Sequence, residues 1–235
     1  MVRYGKRMRI EILDEVSSTN EYIRRYLKDG ENVVVCARRQ TGGHGTKGRS
    51  FLSEAGGVYM SALTFPENLP AAEAFRVMTH AAVSVCRTAE EFGVFPEIKW
   101  PNDVFWRGAK LAGISIENSF SDKRVVSSLV GIGLNAENDL SALGGIAVSL
   151  SQASGNPVSA DAARDALIRN YCRQDDFKDY LDRVRFLGKT VRVIEGDRTF
   201  TATARRILGD GRLEIEEDGT PRILSAAEIS LRLGG

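Results

Sequence analysis

The most restrictive feature of the sequence is a glycine-rich segment at residues 41–49. Four glycines within seven residues alternate there with threonine and basic residues: Gly42, Gly43, Gly45 and Gly48. Glycine loses more backbone entropy on folding than other residues, so this density indicates unusual dihedrals or a close approach of the main chain to another group. Main-chain N–H groups in such a loop can form an anion-binding concavity, and nearby cations suit a phosphate. The residues alone leave two interpretations open: an anion-binding loop, or a basic loop in solvent.

The composition is that of an ordinary globular protein. The chain has 235 residues, of which 43% are hydrophobic and 27% are charged. This length has room for one large domain, or for a large domain and a small one. The formal net charge is +1. We therefore expect no general attraction to nucleic acid or to an anionic membrane, and any anion binding must come from a local arrangement.

The cysteines and histidines lack the spacing of a metal site. Cys36, Cys86 and Cys172 lie far apart in apolar or amphipathic runs, and the two histidines are His44 and His80. This pattern is typical of reduced thiols and predicts neither a disulfide framework nor a metal centre. The N-terminal positive charges have no apolar run behind them, and no segment is long enough to span a bilayer. We therefore expect a cytoplasmic protein.

Hydrophobic periodicity predicts mixed strands and helices in the first four fifths of the chain. Strands are predicted at residues 9–13, 33–37, 57–65, 98–106, 111–117 and 128–135. Helices are predicted after the capping residues 18–20 and at residues 71–93 and 159–181. From residue 188 the chain changes to short alternating strands separated by Gly-Asp and Asp-Gly turns. This pattern of short strands and turns predicts a compact barrel of about five strands.

Residues 98–106 (IKWPNDVFW) depart from ordinary strand patterning. Lys99, Asn102 and Asp103 stand among large apolar residues, where burial is expected. Pro101, Asn102 and Asp103 are turn residues, which predicts a strand–turn–strand arrangement. A charge among apolar residues is costly unless it is paired or used, so turn formation alone does not account for Lys99.

Two groups of small residues also have alternative explanations. Gly131 and Gly133 fall on alternating positions of one predicted strand, and glycine weakens a strand unless another group lies flat against it. Ser18, Thr19 and Asn20 precede a predicted helix, where capping alone would explain them. Both groups are candidate site residues, and the residues themselves do not decide between the two explanations.

Four segments occur in this order: SSTNE, RQTGGHGTKGRSF, KWPNDVFWRGAKLAGISIE and VGIGLN. Together they resemble the biotin protein ligases, and the third segment is the most specific. The resemblance implies an α+β fold of the class II synthetase-like type, with a mixed β-sheet and helices on one side. It also implies a small C-terminal SH3-like β-barrel. We expect residues 1–186 to form the catalytic domain and residues 187–235 to form the SH3-like domain.

The resemblance implies an ATP-dependent reaction in two steps. Biotin is activated to biotinyl-5′-AMP with release of pyrophosphate, and biotin then passes to a lysine of a carrier domain. The implied substrates are ATP and biotin, with Mg²⁺ accompanying ATP, and the implied partner is the biotin carboxyl carrier domain of a carboxylase. Repressor members carry a DNA-binding domain before the SSTNE segment, whereas seventeen residues precede Ser18 here. We therefore expect no nucleic-acid role; whether the chain forms a homodimer stays open.

The resemblance also implies the residues of the site. Lys110 matches the lysine beside the biotin carboxylate and the α-phosphate, where it would offset developing charge. Asp103 matches an aspartate that orients or deprotonates the carrier lysine, and Arg49 completes the catalytic set. The residues expected to contact biotin are Ser18, Thr19, Asn20, Gln40, Gly43, His44, Lys110, Gly113, Ser115 and Gly131. The residues expected to contact ATP or the adenylate are Gly45, Thr46, Lys47, Gly48, Arg49, Trp100, Asn102, Lys110, Gly133 and Asn135.

The glycine loop departs from the family pattern. The family usually reads GRGRRGR, whereas this chain reads GHGTKGR, with His44, Thr46 and Lys47 at arginine positions. The arginine that matches Thr46 is linked in the family to retention of the adenylate. We therefore hypothesise that biotinyl-AMP escapes more readily here, and that Thr46→Arg lowers the labelling of a bystander protein. Phe51 stands at a tryptophan position, which keeps an aromatic ring but loses the indole N–H.

Two other functions are compatible with parts of the sequence. A lipoate or octanoyl ligase-like enzyme shares the catalytic fold, and a thiol nucleophile there would need a cysteine in the site. Cys36, just before the glycine loop, is the cysteine nearest to a motif. A protein that binds biotin or its adenylate without transferring it is the other alternative, which the altered loop favours. Biotin-dependent exchange of pyrophosphate into ATP separates these functions.

Overall fold

A seven-stranded mixed sheet forms the larger unit. The structure is a computed structural model that describes residues 8–43, 45, 51–225 and 229–233, the last range through its backbone only. The strands are β1 (Arg9–Val16), β2 (Val33–Gln40), β3 (Gly57–Thr64), β4 (Glu97–Lys99), β5 (Asp103–Trp106), β6 (Ala109–Ser121) and β7 (Arg124–Asn135). Their order is β1-β2-β3-β7-β6-β5-β4. β1 and β2 are parallel and the other neighbours are antiparallel.

The long helices lie on one face of this sheet, as predicted, and one short helix lies on the other. The helices are α1 (Thr19–Ile23), α2 (Phe75–Glu91), α3 (Leu150–Ser154), α4 (Ala160–Tyr171) and α5 (Phe177–Leu181). Because side chains alternate along β2, Val34 and Cys36 join the core under α2 and α4. Val33 and Val35 point the other way and pack against Ile23 of α1. The α1 face is the one that carries the cavity described below.

The predicted helix at residues 159–181 is two helices. α4 begins after Ser159, whose side chain accepts a hydrogen bond from the N–H of Ala162. The chain leaves helical geometry after Tyr171, and α5 begins with a capping box made by Asp176 and Asp179. Asp176 begins the new helix because its carboxylate accepts a hydrogen bond from the main-chain N–H of Asp179, which has no acceptor within the helix. The apolar spacing that predicted one helix continues across this break.

The C-terminal region forms a five-stranded antiparallel sheet, which confirms the predicted all-β unit. Its strands are β8 (Thr190–Glu195), β9 (Arg198–Ile207), β10 (Leu213–Glu217), β11 (Thr220–Leu224) and β12 (Ile229–Leu233), in the order β11-β10-β9-β8-β12. Val191 and Leu213 belong to the same hydrophobic core as α2 and the larger sheet. The domain boundary at residues 186/187 stays a prediction; it falls in the connection before β8. None of the helices in the described ranges is long and apolar enough to cross a membrane.

Candidate active site

The floor of the site is a patch of small residues on the α1 face of the sheet. Strand register places Ser61, Gly131 and Ser115 side by side on β3, β7 and β6. The next row contains Tyr59, Gly133 and Gly113. A Cβ atom on Gly131 would lie 2.6 Å from both the Asn20 Oδ1 and the Ser115 Oγ atoms. The glycine spacing in the sequence therefore marks a floor on which other groups lie directly.

A cavity opens above this floor and encloses about 520 Å³ of empty space, part of it open to solvent. The cavity brings together most of the predicted site residues that the structure describes. Its lining residues are Ser18, Thr19, Asn20, Gln40, Gly45, Phe51, Met60, Asn102, Asp103, Lys110, Gly113, Ile114, Ser115, Gly131, Ile132 and Gly133.

A hydrogen-bonded network occupies the side of the cavity next to α1. Gln40 Oε1 accepts from the main-chain N–H of Thr19 at 2.8 Å and from the Thr19 hydroxyl at 3.0 Å. The Ser61 Oγ atom lies 2.8 Å from Thr19 Oγ1 and 2.6 Å from Asn20 Oδ1. Ser18 is buried at the start of α1, and its side chain makes no capping hydrogen bond. Helix capping alone therefore does not explain the serine and threonine of the SSTNE segment.

Ser61 is a site residue that sequence reasoning missed. It is completely buried in β3, where its neighbours in the chain are apolar. The sequence does show a serine within an apolar strand, and a buried hydroxyl indicates a hydrogen-bond partner, because buried polar groups are paired. That signal does not say which face of the sheet the serine occupies, and the strand register supplies this information.

The stem of the glycine loop is held closed by main-chain hydrogen bonds. The Phe51 N–H donates to the Gly43 carbonyl at 3.0 Å, and the Gln40 N–H donates to the Ser53 carbonyl at 2.9 Å. The Phe51 ring lies over Gly133, where a Cβ atom would be 2.5 Å from the ring. The loop therefore begins and ends at the cavity. The predicted contacts of His44, Thr46, Lys47, Gly48 and Arg49 lie outside the described residues.

Lys110 and Asp103 form an ion pair at the cavity, with the Lys110 Nζ and Asp103 Oδ1 atoms 2.6 Å apart. Both side chains are about one third exposed, at 34% and 27%. A Cβ atom on Gly113 would lie 3.0 Å from both Cε and Nζ of Lys110. Because Gly113 has no side chain, it leaves space for the Lys110 side chain to reach the Asp103 carboxylate.

The main chain of Lys110 is fixed on the side away from β5. Its N–H donates to the Ile146 carbonyl at 2.9 Å, and its carbonyl accepts from the Val148 N–H at 3.0 Å. Asn135 is buried and its Nδ2 group approaches the Lys110 carbonyl at 3.4 Å, so it supports the lysine and does not line the cavity. The main chain that carries the ammonium group is thus paired with β5 on one side and hydrogen-bonded to Ile146 and Val148 on the other.

Two predicted adenylate contacts have protein partners in the structure. Asn102 lines the cavity and donates through Nδ2 to the Ile114 carbonyl at 2.7 Å. Trp100 is buried outside the cavity lining, and its indole N–H donates to the Gly211 carbonyl at 2.8 Å. Trp100 therefore lies between the two sheets, behind the turn that carries Asn102.

Within the described ranges, no group of three His, Cys, Asp or Glu residues could hold a metal ion. Asp103 is the one carboxylate among the described lining residues, and it is paired with Lys110. These residues do not fit a protein-held Mg²⁺ site. Burial raises the pKa of the Cys36 thiol to about 12, which makes it a poor nucleophile. The chemistry that the cavity offers is therefore a cation, a carboxylate and hydrogen-bonding groups.

The larger sheet carries the glycine floor and the lysine–aspartate pair, and a separate antiparallel sheet follows it in the chain. Residues 13–135 match the model of the biotin/lipoate A/B protein ligase family, and residues 186–232 match that of the biotin protein ligase C-terminal domain. The chain belongs to the biotin/lipoate A/B protein ligase family, and the match of its C-terminal region places it among the biotin protein ligases of that family.

Named relatives agree with this membership. The chain is 31% identical over 219 residues to the bifunctional ligase/repressor BirA of Bacillus subtilis. This alignment covers 86% of this chain and 66% of that protein. It is 27% identical to the biotin–[acetyl-CoA-carboxylase] ligase of Mycobacterium tuberculosis, covering 94% of this chain and 88% of that one. The chain thus spans about two thirds of the Bacillus relative's length.

A solved structure shares the whole arrangement. The biotin protein ligase from Aquifex aeolicus in complex with biotin and ATP superposes with a TM-score of 0.73. The alignment covers 96% of this chain and 99% of that chain at 25% identity. The expected fold class, a mixed sheet with helices followed by a small C-terminal β unit, is therefore confirmed.

Proposed function

We propose that this chain is an ATP-dependent ligase that converts biotin to biotinyl-5′-AMP and then transfers it to a lysine of a carboxylase carrier domain. The observation that carries the proposal is the order of groups in one cavity. A polar network around Thr19 and Gln40 lies on one side, a glycine floor lies beneath, and the Lys110 ammonium lies on the other side. A carboxylic acid with a polar head group fits this order. The Aquifex relative named as binding biotin and ATP supports the same substrates.

In the first step, a biotin carboxylate oxygen attacks the α-phosphorus of ATP. The bond from that phosphorus to the bridging oxygen of the β-phosphate breaks, and pyrophosphate leaves. Both reactants are anions, so positive charge and precise placement lower the barrier. Lys110 supplies an ammonium group that Asp103 and the fixed main chain hold in place. This role requires no proton transfer, and we assign Mg²⁺ to ATP itself.

In the second step, the amine of the carrier lysine attacks the acyl carbon of the mixed anhydride. The bond from that carbon to the bridging oxygen breaks, AMP leaves, and the amine loses a proton. Asp103 lines the cavity within reach of Lys110. We assign Asp103 to orient the incoming amine or to accept its proton. The two steps therefore depend on different members of one ion pair.

The Thr19 network accounts for selectivity among acids. Thr19, Asn20, Gln40 and Ser61 present both donors and acceptors in a largely buried setting. A ureido group has N–H donors and a carbonyl acceptor, so it can pair with such groups. An acid without this head would leave buried polar groups unpaired, which costs much binding energy. The cavity should therefore favour biotin over lipoate.

Biotin-dependent exchange of labelled pyrophosphate into ATP tests the proposal. We expect exchange with biotin and none with lipoate. Lys110→Ala should lower the exchange rate by about 10²–10³-fold, as loss of one transition-state charge donor does. Lys178→Ala is the matched control, because Lys178 also forms a 2.6 Å pair with an aspartate, Asp182, but on the surface.

The same measurement identifies the alternatives. Exchange that depends on lipoate or octanoate would replace the biotin assignment by a related acyl ligase. Binding of biotin without exchange, measured by calorimetry, would make the chain a non-transferring binder. Exchange with biotin but no transfer to any carrier domain would limit the proposal to its first step.

A further inference from the structure

The hairpin turn that precedes Asp103 is anchored on the sheet. β4 and β5 pair Lys99 with Asp103, so residues 100–102 form the connecting turn. Asn102 donates through Nδ2 to the Ile114 carbonyl at 2.7 Å, and its own carbonyl accepts from the Ile114 N–H at 3.0 Å. These two hydrogen bonds fix the end of the turn next to β6. They do not fix its beginning.

The other two residues of the turn are anchored from outside the larger sheet. The buried Trp100 indole N–H donates to the carbonyl of Gly211, in the turn before β10, at 2.8 Å. The Pro101 carbonyl accepts from the hydroxyl of Tyr180, on α5, at 3.1 Å. The C-terminal sheet and α5 therefore hold the part of the turn that β6 does not reach.

Gly211 is held firmly enough to act as an anchor. Its φ is +88°, and a side chain there would overlap the ring of Phe75 at the start of α2. The Gly211 N–H donates to the Leu208 carbonyl at 2.9 Å. Phe75 in turn packs edge-to-face against Tyr180, with ring centroids 5.6 Å apart. The carbonyl that receives the Trp100 hydrogen bond thus belongs to a tight turn inside an aromatic cluster.

We propose that Trp100 and Gly211 are positioning residues, through which the C-terminal sheet sets the position of Asp103 for the transfer step. This inference rests on the proposed function. The hydrogen bond is three residues from Asp103 along a short turn, so its loss lets the aspartate move relative to Lys110. Misplacement of a reacting group by about 1 Å can lower a rate by about a hundredfold. In the proposed function biotin lies on the floor formed by β3, β6 and β7, so we expect its affinity to be independent of this anchor.

Trp100→Phe tests the inference, because it keeps the ring and removes the N–H. We expect the single-turnover rate of transfer from preformed biotinyl-AMP to fall about ten- to hundredfold, with the biotin KM changed less than about twofold. Trp106→Phe is the matched control: Trp106 is in the same hairpin, and its ring lies under the Arg107 guanidinium. The double variant Asp103→Asn/Trp100→Phe provides a further test. It should transfer biotin no more slowly than Asp103→Asn alone, because the effects of two substitutions on the transfer rate are not additive when the residues act as a unit. Additive losses of transfer rate, or an equal loss in Trp106→Phe, would overturn the inference.

A second pair of variants approaches the same contact from the other side. Gly211→Ala displaces the anchoring turn without changing Trp100, and we expect the same selective loss of transfer. Gly209→Ala is its control, because a Cβ atom there meets no other atom within 4 Å. Equal transfer rates in the two glycine variants would contradict the inference.

Amide hydrogen exchange separates the inference from the proposed function. We expect faster exchange at residues 102–106 in Trp100→Phe and in Gly211→Ala, and no change in the two controls. This measurement needs no catalytic activity. An inactive wild-type protein would overturn the proposed function, and unchanged protection at residues 102–106 would overturn the anchoring.

Discussion

The Lys110 ammonium and the Asp103 carboxylate meet at 2.6 Å although they are not opposite each other in the sheet. Asp103 is paired with Gly113 across the β5–β6 ladder, and Lys110 is paired with Phe105. The lysine side chain reaches the aspartate by lying over Gly113. Each charge therefore holds the other in the cavity. Under the proposed function, an anionic substrate would give the ammonium a second partner and would leave the carboxylate free to act on the carrier amine.

Asp103→Asn should separate the two half-reactions. We expect biotin-dependent pyrophosphate exchange to persist, because asparagine keeps a hydrogen-bond acceptor beside Lys110. Transfer from biotinyl-AMP to a carrier domain should fall about 10²–10⁴-fold, the usual contribution of general acid–base groups. Single-turnover transfer measures this effect, with Asp182→Asn, the aspartate of a surface pair, as the control. A parallel loss in both half-reactions would mean that Asp103 acts only by holding Lys110.

The candidate site was predictable wherever its chemistry appears as an unusual residue in the sequence. Gly131 and Gly133 interrupt a strand, and Asp103 stands among aromatic residues, so each attracts attention without a structure. Ser61 was not predictable, because one hydroxyl in an apolar strand carries no information about the face it occupies. The partner of Trp100 was not predictable either. Its place in the motif indicates a ligand contact, whereas its indole N–H donates to Gly211, 111 residues further along the chain in the turn before β10.

The limits of the fold prediction have a similar physical origin. Strand types and the C-terminal β unit follow from local periodicity, which residues near in sequence determine. The break between α4 and α5 depends on the Asp176 cap and on the contact of Asp175 with His80, which is on α2. Such tertiary contacts override helix propensity, and periodicity alone does not reveal them.

Gly131→Ala should weaken biotin binding without unfolding the protein. The new methyl group would lie 2.6 Å from the Asn20 Oδ1 and Ser115 Oγ atoms, so both polar side chains must move. Overpacking of this kind costs about 1–3 kcal/mol of unfolding free energy, and the displacement of Asn20 and Ser115 from the floor should lower the affinity for biotin. Calorimetric titration with biotin measures it. Gly209→Ala serves as the control, and equal biotin affinities in the two variants would contradict the close packing of Asn20 on the floor.

Glu11 should make part of the stability dependent on pH. Hydrogen bonds from the Tyr22 and Tyr26 hydroxyls, both 2.5 Å long, lower the pKa of the Glu11 carboxyl below its ordinary value of 4.5. A carboxyl with a lowered pKa in the folded state stabilises the protein above its unfolded-state pKa. This contribution disappears as the pH falls through the folded-state pKa.

Glu11→Gln tests this dependence by urea unfolding at several pH values. We expect the difference in unfolding free energy between wild type and variant to be largest near neutral pH. It should shrink as the pH falls below about 4. The double variant Tyr22→Phe/Tyr26→Phe removes the donors and should lose the same acid-dependent part. A difference that stays constant with pH would show that the tyrosines do not perturb the carboxyl.

The buried pair of His80 and Asp175 should be among the most sensitive positions for stability. Their side chains are 3% and 7% exposed, with His80 Nδ1 and Asp175 Oδ1 2.6 Å apart. The other ring nitrogen, Nε2, lies 2.8 Å from the Tyr171 carbonyl, which can only accept, so Nε2 carries a proton. The pair therefore ties α2 to the chain between α4 and α5. Removal of one partner leaves the other buried without its main contact.

Asp175→Leu should lower the unfolding free energy by about 3–5 kcal/mol, the usual cost of stranding one member of a buried pair. The double variant His80→Phe/Asp175→Leu should be more stable than the single one, because it leaves no stranded polar group. Asp182→Ala, which breaks the exposed pair with Lys178, should cost only about 0–1 kcal/mol. Chemical denaturation of the three variants checks this order. If the double variant were the least stable, packing volume would dominate at this position, and the hydrogen-bonded pair would contribute little.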